Sequence, residues 1–262
     1  MNNEITLNEV LVEAPLKGHI VEFYNDVNHL AKQVADFVAL GLNAGEGVIL
    51  IALPKNLDLF RDVLLDRGVP IHAIETSGRL KCIDAERVLK AFMSQNVAQW
   101  THFEATVGSE VRILSEKYHK VRAYGEMVNV LWQKGSSEAA LELERFWNRL
   151  GGQYPLCLFC AYSLDVLNFD LYPKAVSSIC HSHSHSFADS VDSSFARIIQ
   201  RAIDEILEPR AILPLQTFLH QTESNKGHRS AALRTILWLS QNMPQVAHQV
   251  LLRARSYYPV AT

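Results

Sequence analysis

Three histidines alternate with serines in this sequence, at His181, His183 and His185, directly after Cys180. Residues two apart in an extended chain share one face, so the pattern predicts a small ribbon of imidazoles that could bind a metal. We favour the commoner alternative, a polar loop at the edge of a ligand site, and leave the metal open. His19 opens a predicted strand of the same sheet and is a further candidate for this edge.

A carboxylate follows directly after another predicted strand. Glu126 ends the segment Arg122-Ala-Tyr-Gly-Glu, where Gly125 permits a close approach of backbone or ligand. Nucleotide hydrolases use a carboxylate at such a position to handle Mg²⁺ or water. Three roles stay open for Glu126: a cap of the following helix, which we favour because the helix dipole stabilises a carboxylate there, a ligand contact, and catalysis.

A polar pair shares one face of a predicted helix. Glu144 and Asn148 are four residues apart, and Trp147 lies beside them. A tryptophan at helical spacing more often packs in the core than stacks on a ligand, and we favour core packing. Cys157 and Cys160 have the spacing of a zinc clip, but on a predicted strand they point to opposite faces.

The loop after the second predicted strand lacks the features of a phosphate-binding loop. Residues 54–58 read PKNLD, with no glycine and no Lys-Ser/Thr pair. Pro54 has no N–H, and Asp58 places a negative charge where a phosphate would sit. We therefore expect no nucleotide hydrolysis and no cofactor. No Gly-x-Ser-x-Gly elbow is present, and no cysteine–histidine pair is enforced by spacing.

Hydrophobic periodicity predicts an alternation of strands and helices. The predicted strands cover 19–24, 48–53, 80–83, 121–125 and 156–162, and the predicted helices between them cover 27–41, 54–67, 84–95, 100–119, 126–134 and 137–151. This alternation indicates a three-layer α/β fold with a mostly parallel sheet, whose strand carboxyl ends lie along one edge. Residues 1–17 read as an irregular leader.

The pattern changes after residue 162. We predict a short helix over 164–169, then helices near 190–207, 211–222, 228–242 and 244–256, with no strand after 162 and a boundary near 187–190. The predicted organisation is thus a leader (1–17), an α/β domain (18–187) and a helical C-terminal segment (188–262).

Charge is distributed unevenly along the chain. The 262 residues carry a net charge of −3, but residues 209–262 carry +5 and the remainder −8. A basic tail on an acidic body favours self-docking or a protein partner over nucleic acid. The sequence shows no secretory signal and no apolar run long enough to cross a membrane, so we expect a cytoplasmic protein with reduced cysteines.

Seven short segments, in this order, resemble one family, the MEDS domain (methanogen/methylotroph DcmR-type sensory domain), over about residues 16–186. They are GHIVEFYND (18–26), GEGVI (45–49), SGRL (77–80) with DA (84–85), RAYGEM (122–127), LE (143–144) with WN (147–148), CAY (160–162) and CHSH (180–183). The family is considered a RecA/KaiC-like relative that has lost the phosphate loop, and is proposed to sense small molecules such as hydrocarbon derivatives.

The resemblance also implies which residues form the ligand site. These are His19, Tyr24, Arg122, Glu126, Trp147, Asn148, Tyr162, His181 and His183. Members are found fused to histidine kinases or DNA-binding modules, whereas residues 190–262 match neither pattern.

We therefore expect a non-catalytic cytoplasmic sensor that binds a small molecule or a signalling partner, such as a histidine kinase or regulator, and relays this through its C-terminal helices. RecA/KaiC relatives commonly assemble, so a homo-oligomer is expected. The alternatives are an oligomeric scaffold with an empty crevice, a metal-dependent enzyme using the 181–185 histidines, and a nucleic-acid-binding regulator acting through the basic tail.

Overall fold

The computed structural model of the chain describes residues 6–94, 97–188, 194–207, 217 and 228–257. Contacts between Cα atoms divide the chain into two units. The sheet unit comprises Asn8–Val21 and Asp26–Ser163, and the C-terminal unit comprises Met1–Leu7, Glu22–Asn25 and Leu164–Thr262. Among the described residues, no helix has the length and apolar character needed to cross a membrane.

Five strands build the main sheet of the sheet unit: β1 (His19–Phe23), β2 (Gly47–Ala52), β3 (Leu80–Asp84), β6 (Val121–Gly125) and β7 (Leu156–Tyr162). Their order in the sheet is β3-β2-β6-β7-β1. β4 (Met93–Ser94) and β5 (Val97–Ala98) form a separate antiparallel pair. β2 pairs in parallel with β3 and with β6, and β6 with β7. β2 and β7 are buried at every position, as expected for strands covered by helices on both faces. The predicted α/β fold with a parallel sheet is confirmed.

Most helices that flank this sheet lie at the predicted positions, but the sequence pattern did not predict the helix at Ile71–Thr76, and the helix predicted over 84–95 ends at Phe92. The flanking helices are α2 (Val27–Asn43), α3 (Pro54–Asp66), α4 (Ile71–Thr76), α5 (Ala85–Phe92), α6 (Trp100–Phe103), α7 (Ser109–Lys117), α8 (Met127–Gln133) and α9 (Ser137–Gln153), with a π-helical turn at Glu104–Gly108. Asp26 and Asp84 cap α2 and α5, because their carboxylates accept backbone N–H groups of the first turn. Pro54 opens α3, where its missing N–H costs nothing.

The predicted irregular leader is wrong in part, because Leu7–Glu13 forms a helix, α1. Leu7, Val10 and Leu11 lie at i, i+3 and i+4 and are all buried. This apolar stripe is the signal for an amphipathic helix, but seven residues are too few for it to stand out from the flanking sequence.

The part of the C-terminal unit that the structure describes is mainly helical but contains two strands. Its elements are a 3₁₀ turn (Phe169–Leu171), a π-helical turn (Tyr172–Val176), α10 (Ser177–Ser182), β8 (His185–Ala188), α11 (Ser194–Ile206), β9 (His228–Arg229), α12 (Ala231–Asn242) and α13 (Pro244–Arg255). β8 and β9 pair in parallel, so the prediction of no strand after 162 is wrong. Neither strand is a continuous apolar run, and β9 has only two residues, so hydrophobic pattern does not reveal them.

The five helices predicted after residue 162 also fall in this unit. The prediction of a short helix over 164–169 is wrong. The side chains of Asp165 and Asn168 accept the backbone N–H groups of Leu167 and Asp170, and such local hydrogen bonds favour a turn over a helix. The helices near 190–207 and 244–256 are confirmed as α11 and α13, and that over 228–242 begins only at Ala231. The helix predicted over 211–222 lies outside the described residues, Thr217 excepted.

Three charged side chains form a buried ion cluster at the amino end of β6. The guanidinium of Arg122 donates to Glu46 and lies 2.8 Å from the carbonyl oxygen of Leu11, and the Lys120 Nζ lies 3.1 Å from Glu46 Oε1. Arg122 and Glu46 are 3% and 5% exposed in their side chains. A Cβ atom on Gly41 would lie 2.7 Å from the Arg122 Cδ, so the glycine makes room for the cation.

Removing Arg122 should strongly destabilise the fold. Because Arg122→Ala leaves the Glu46 carboxylate buried with only Lys120, we expect the free energy of unfolding to fall by about 3–5 kcal/mol, measured by urea denaturation. The control is Arg112→Ala, which breaks an exposed pair with Glu116 four residues on and should cost no more than about 0.5 kcal/mol. Equal effects of the two variants would contradict a structural role for the buried cluster.

Candidate functional site

A histidine at the start of β1 meets a helix and a neighbouring strand. The Nδ1 of His19 lies 2.9 Å from Asn148 Oδ1, and its Nε2 lies 3.2 Å from Glu144 Oε2 and 3.5 Å from Cys160 Sγ. The backbone N–H of Leu158 donates to the Gly18 carbonyl, which aligns β1 with β7. We call His19, Glu144, Asn148, Cys160 and Tyr162 the histidine cluster.

Glu144 is the anionic member of the histidine cluster and is fully buried. Its Oε1 accepts a hydrogen bond of 2.7 Å from the Tyr162 hydroxyl, and its Oε2 lies 3.9 Å from Cys160 Sγ. Glu144 and Asn148 are one turn apart on α9, so both reach His19 from the same helix face. A buried carboxylate is tolerated only where donors surround it, and His19 and Tyr162 both point at it.

Burial also keeps two side chains of the histidine cluster, Cys160 and Tyr162, in their neutral, protonated forms. Burial, with the adjacent charge of Glu144, raises the pKa of Cys160 well above its usual value and does the same to the pKa of Tyr162. Both groups therefore hold their protons at neutral pH. Cys160 is thus not an activated nucleophile in the unliganded protein.

Trp147 packs in the core of the sheet unit, between the sheet and neighbouring aromatic side chains. Its ring meets Phe103 edge-on at 5.2 Å between centroids, and a Cβ atom on Gly125 would lie 3.4 Å from the indole Cζ2. The predicted close approach at Gly125 is therefore to a side chain of the protein's own core. Within the part of the chain that the structure describes, the indole N–H has no hydrogen-bond partner.

A cavity of about 230 Å³ opens beside the histidine cluster. It is lined by Lys17, Gly18, His19, Trp147, Asn148, Gly151, Gly152, Leu156 and Leu158. Three of these are among the site residues expected from the sequence, and all nine belong to the sheet unit. A larger depression of about 560 Å³, along the ends of α2 and α4, contains none of the expected residues.

Glu126 does not cap the helix that follows it, so that prediction is wrong. Its carboxylate instead crosses to the start of α3, where it accepts the backbone N–H of Leu53 at 2.8 Å and the side-chain amide of Asn56, while α8 has no side-chain cap. The two strands β2 and β6 are adjacent, which brings the loops after them together. Burial raises the pKa of Glu126, and the hydrogen bonds from Leu53 and Asn56 partly oppose this.

Four expected residues remain to be placed: Tyr24, Arg122, His181 and His183. Arg122 belongs to the ion cluster at the amino end of β6. Tyr24, His181 and His183 lie in the C-terminal unit. The 181–185 histidines do not form an extended ribbon, because His181 lies in the last turn of α10, whereas His185 begins β8.

Two members of the histidine cluster, Glu144 and Cys160, were not among the expected site residues. Glu144 shares a helix face with Asn148, and Cys160 shares a strand face with Tyr162, two residues on. The spacing was therefore visible in the sequence. The sequence does not show that the β7 face with Cys160 and the α9 face with Glu144 both meet His19.

The raised pKa of Glu126 predicts how stability responds to pH. A carboxyl whose pKa is higher in the folded than in the unfolded state stabilises the fold fully below the unfolded-state value, and this contribution is lost as the pH rises through the folded-state value. We expect wild type to lose stability relative to Glu126→Gln as the pH rises from about 4, the unfolded-state value, to 7. Urea denaturation at several pH values measures the difference.

A second variant sharpens this measurement. Asn56→Ala removes a donor that lowers the Glu126 pKa, so the loss of stability with rising pH should extend to higher pH than in wild type. A pH-independent difference between wild type and Glu126→Gln would contradict the raised pKa.

Comparison with known proteins assigns a family. The comparison with curated proteins found no match. The family model described as MEDS, MEthanogen/methylotroph, DcmR Sensory domain, matches residues 18–184, which is more than half of the chain. The match includes the whole histidine cluster and the loop occupied by Glu126. The chain therefore belongs to the MEDS family of sensory domains.

Proposed function

We propose that this chain is a non-catalytic sensory protein that binds a small molecule in the cavity beside His19 and relays binding through its C-terminal helices. The observation that carries the proposal is this cavity, in which His19 and Asn148 offer hydrogen bonds and Trp147, Leu156 and Leu158 offer apolar surface. Pockets that combine apolar walls with a few polar groups are typical of small-molecule sites. Membership of a sensory-domain family supports the same function.

The start of α3 supports a role without nucleotide hydrolysis. In phosphate-binding loops, backbone N–H groups at the start of a helix bind the phosphates. Here the Leu53 N–H already donates to Glu126, and the next residue is Pro54, which has no N–H. A phosphate at this position would meet a carboxylate where it needs donors.

The cavity's size and lining suggest the class of ligand. Its volume of about 230 Å³ is below the range of about 300–1,000 Å³ typical of drug-sized ligands, so the fit is to a small metabolite. Two polar side chains and several apolar ones favour a molecule with one hydrogen-bonding group on a short apolar body.

The C-terminal helices provide a candidate output element. Within the C-terminal unit, Glu205 on α11 accepts from Arg253 on α13 and from the Tyr257 hydroxyl, and the Arg201 guanidinium lies 4.0 Å from the centre of the Tyr257 ring. These exposed pairs are individually weak and so are suited to rearrange. We propose that a signalling protein, a histidine kinase or a regulator, or a second copy of the chain, reads this arrangement. The ligand must bind one arrangement more tightly than the other to shift it.

Two glycines in the last turns of α9 offer a test of the cavity. Gly151 and Gly152 line it, and a Cβ atom at either position would meet no atom within 4 Å. A helical glycine destabilises its helix by about 0.5–1 kcal/mol relative to alanine, so alanine would fit here and strengthen the fold. The glycines instead leave the wall of the cavity open.

Closing the cavity should separate stability from ligand response. We expect Gly151→Ala and Gly152→Ala each to raise the free energy of unfolding by up to about 1 kcal/mol, whereas Gly151→Leu should abolish any rise in melting temperature that a small metabolite produces in wild type. The measurement is thermal melting of the full chain against a panel of small polar–apolar metabolites.

Gly135→Leu serves as the control for side-chain size. This glycine lies in a turn with φ 77° and open space around it, so the variant should melt lower but keep the ligand-induced rise. No rise with any metabolite, or an undiminished rise in Gly151→Leu, would sink the proposal that ligands bind in this cavity.

A further inference from the structure

We propose that His19 Nε2, Glu144 Oε2 and Cys160 Sγ together bind a divalent metal ion, Zn²⁺ by preference. These three atoms lie within 4.8 Å of one another in the buried core of the sheet unit. The proposal does not depend on the small-molecule cavity, because it rests on the spacing and chemistry of these side chains alone.

The distances between the three atoms match one face of a zinc tetrahedron. Zn–N and Zn–O bonds of about 2.05 Å place nitrogen and oxygen about 3.3 Å apart, and a Zn–S bond of about 2.3 Å places sulfur about 3.6 Å from either. The observed separations are 3.2 Å for nitrogen to oxygen, 3.5 Å for nitrogen to sulfur and 3.9 Å for oxygen to sulfur. An ion above the centre of this triangle would need only small side-chain shifts to reach all three atoms.

The outer hydrogen bonds orient two of the ligands for metal binding. Asn148 Oδ1 accepts from the Nδ1 of His19, which keeps a proton on Nδ1, so that in the metal-bound form the lone pair of Nε2 lies on the side of Glu144 and Cys160. The Tyr162 hydroxyl donates to Glu144 Oε1, so that Oε2 faces the proposed ion. Metal-binding histidines and carboxylates commonly have such supporting hydrogen bonds.

Charge and donor type favour zinc. A neutral imidazole, a carboxylate and a thiolate sum to −2, which a divalent cation neutralises in a region where an unpaired charge is costly. A mixed nitrogen, oxygen and sulfur set suits Zn²⁺ rather than Mg²⁺ or Ca²⁺, which prefer oxygen alone.

The same strand supplies a matched control. Cys157 and Cys160 are both buried on β7, but three residues apart they point to opposite faces. Cys157 lies near the ion cluster, where its thiol interacts electrostatically with Lys120, Arg122 and Glu46. Replacing either cysteine by alanine removes one sulfur atom from the core, but only Cys160→Ala removes a proposed ligand.

The test is metal binding by the full chain. It uses a Cys82→Ser background, because Cys82 is half-buried whereas the other three cysteines are buried. Purified protein is stripped with a chelator and titrated with Zn²⁺ against a chromophoric competitor. We expect one Zn²⁺ per chain, an affinity at least 100-fold weaker in Cys160→Ala and His19→Ala, and an affinity within about twofold of wild type in Cys157→Ala. Asn148→Ala and Tyr162→Phe should weaken binding about 10-fold to 100-fold.

Substitution by Co²⁺ supplies an independent readout. Binding through Cys160 predicts a thiolate-to-cobalt charge-transfer band that persists in Cys157→Ala and is absent from Cys160→Ala. If Cys160→Ala does not fold, the band in the Cys157→Ala protein and its loss in His19→Ala decide instead.

Three outcomes would overturn the proposal: no Zn²⁺ bound by the stripped chain, equal loss in Cys157→Ala and Cys160→Ala, or no loss in either. The titration uses the metal alone, so its failure is distinct from a failure of the metabolite melting test.

Discussion

A charge enclosed by a sheet with helices on both faces must find its partner inside the protein. Most strand positions of the sheet unit lie out of reach of water, and the fold depends on how it compensates the few charged groups placed there. Glu46 meets Arg122 and Lys120, Glu144 meets His19 and Tyr162, and Glu126 meets the start of α3. Each pairing joins elements distant in sequence, so each one also sets how those elements pack.

Two of these buried clusters differ in what they can do. At the amino end of β6, Arg122 is held by a carboxylate and by backbone carbonyls, and Gly41 packs against it. Its donors are committed to the protein itself, which is the arrangement of a structural cluster. The histidine cluster combines an imidazole, a carboxylate and a thiol, which are the side chains that bind transition metals, and His19 and Asn148 also face a cavity.

The carboxylate of Glu126 occupies the start of α3 at the carboxyl edge of the sheet. In an open parallel sheet, the loops after adjacent strands meet at the carboxyl edge, where ligands usually bind. Here the loop after β6 supplies an anion that takes up the donor at the start of α3. Three of the expected site residues, His19, Trp147 and Asn148, line the cavity beside α9 instead.

Hydrophobic pattern alone determined the five strands of the main sheet and most of the helices around it, because continuous apolar strands and long amphipathic helices have distinct periods. It also placed Glu144 and Asn148 on one helix face and Cys157 and Cys160 on opposite strand faces. It missed α1, α4 and the β4–β5 pair. Only tertiary structure decided that His19 lies against Glu144 and Cys160, that Arg122 pairs with Glu46, and that Glu126 serves α3 instead of its own helix. The physical reason is that periodicity shows which face of a helix or strand is buried, whereas strand order and register determine which other helix or strand that face packs against.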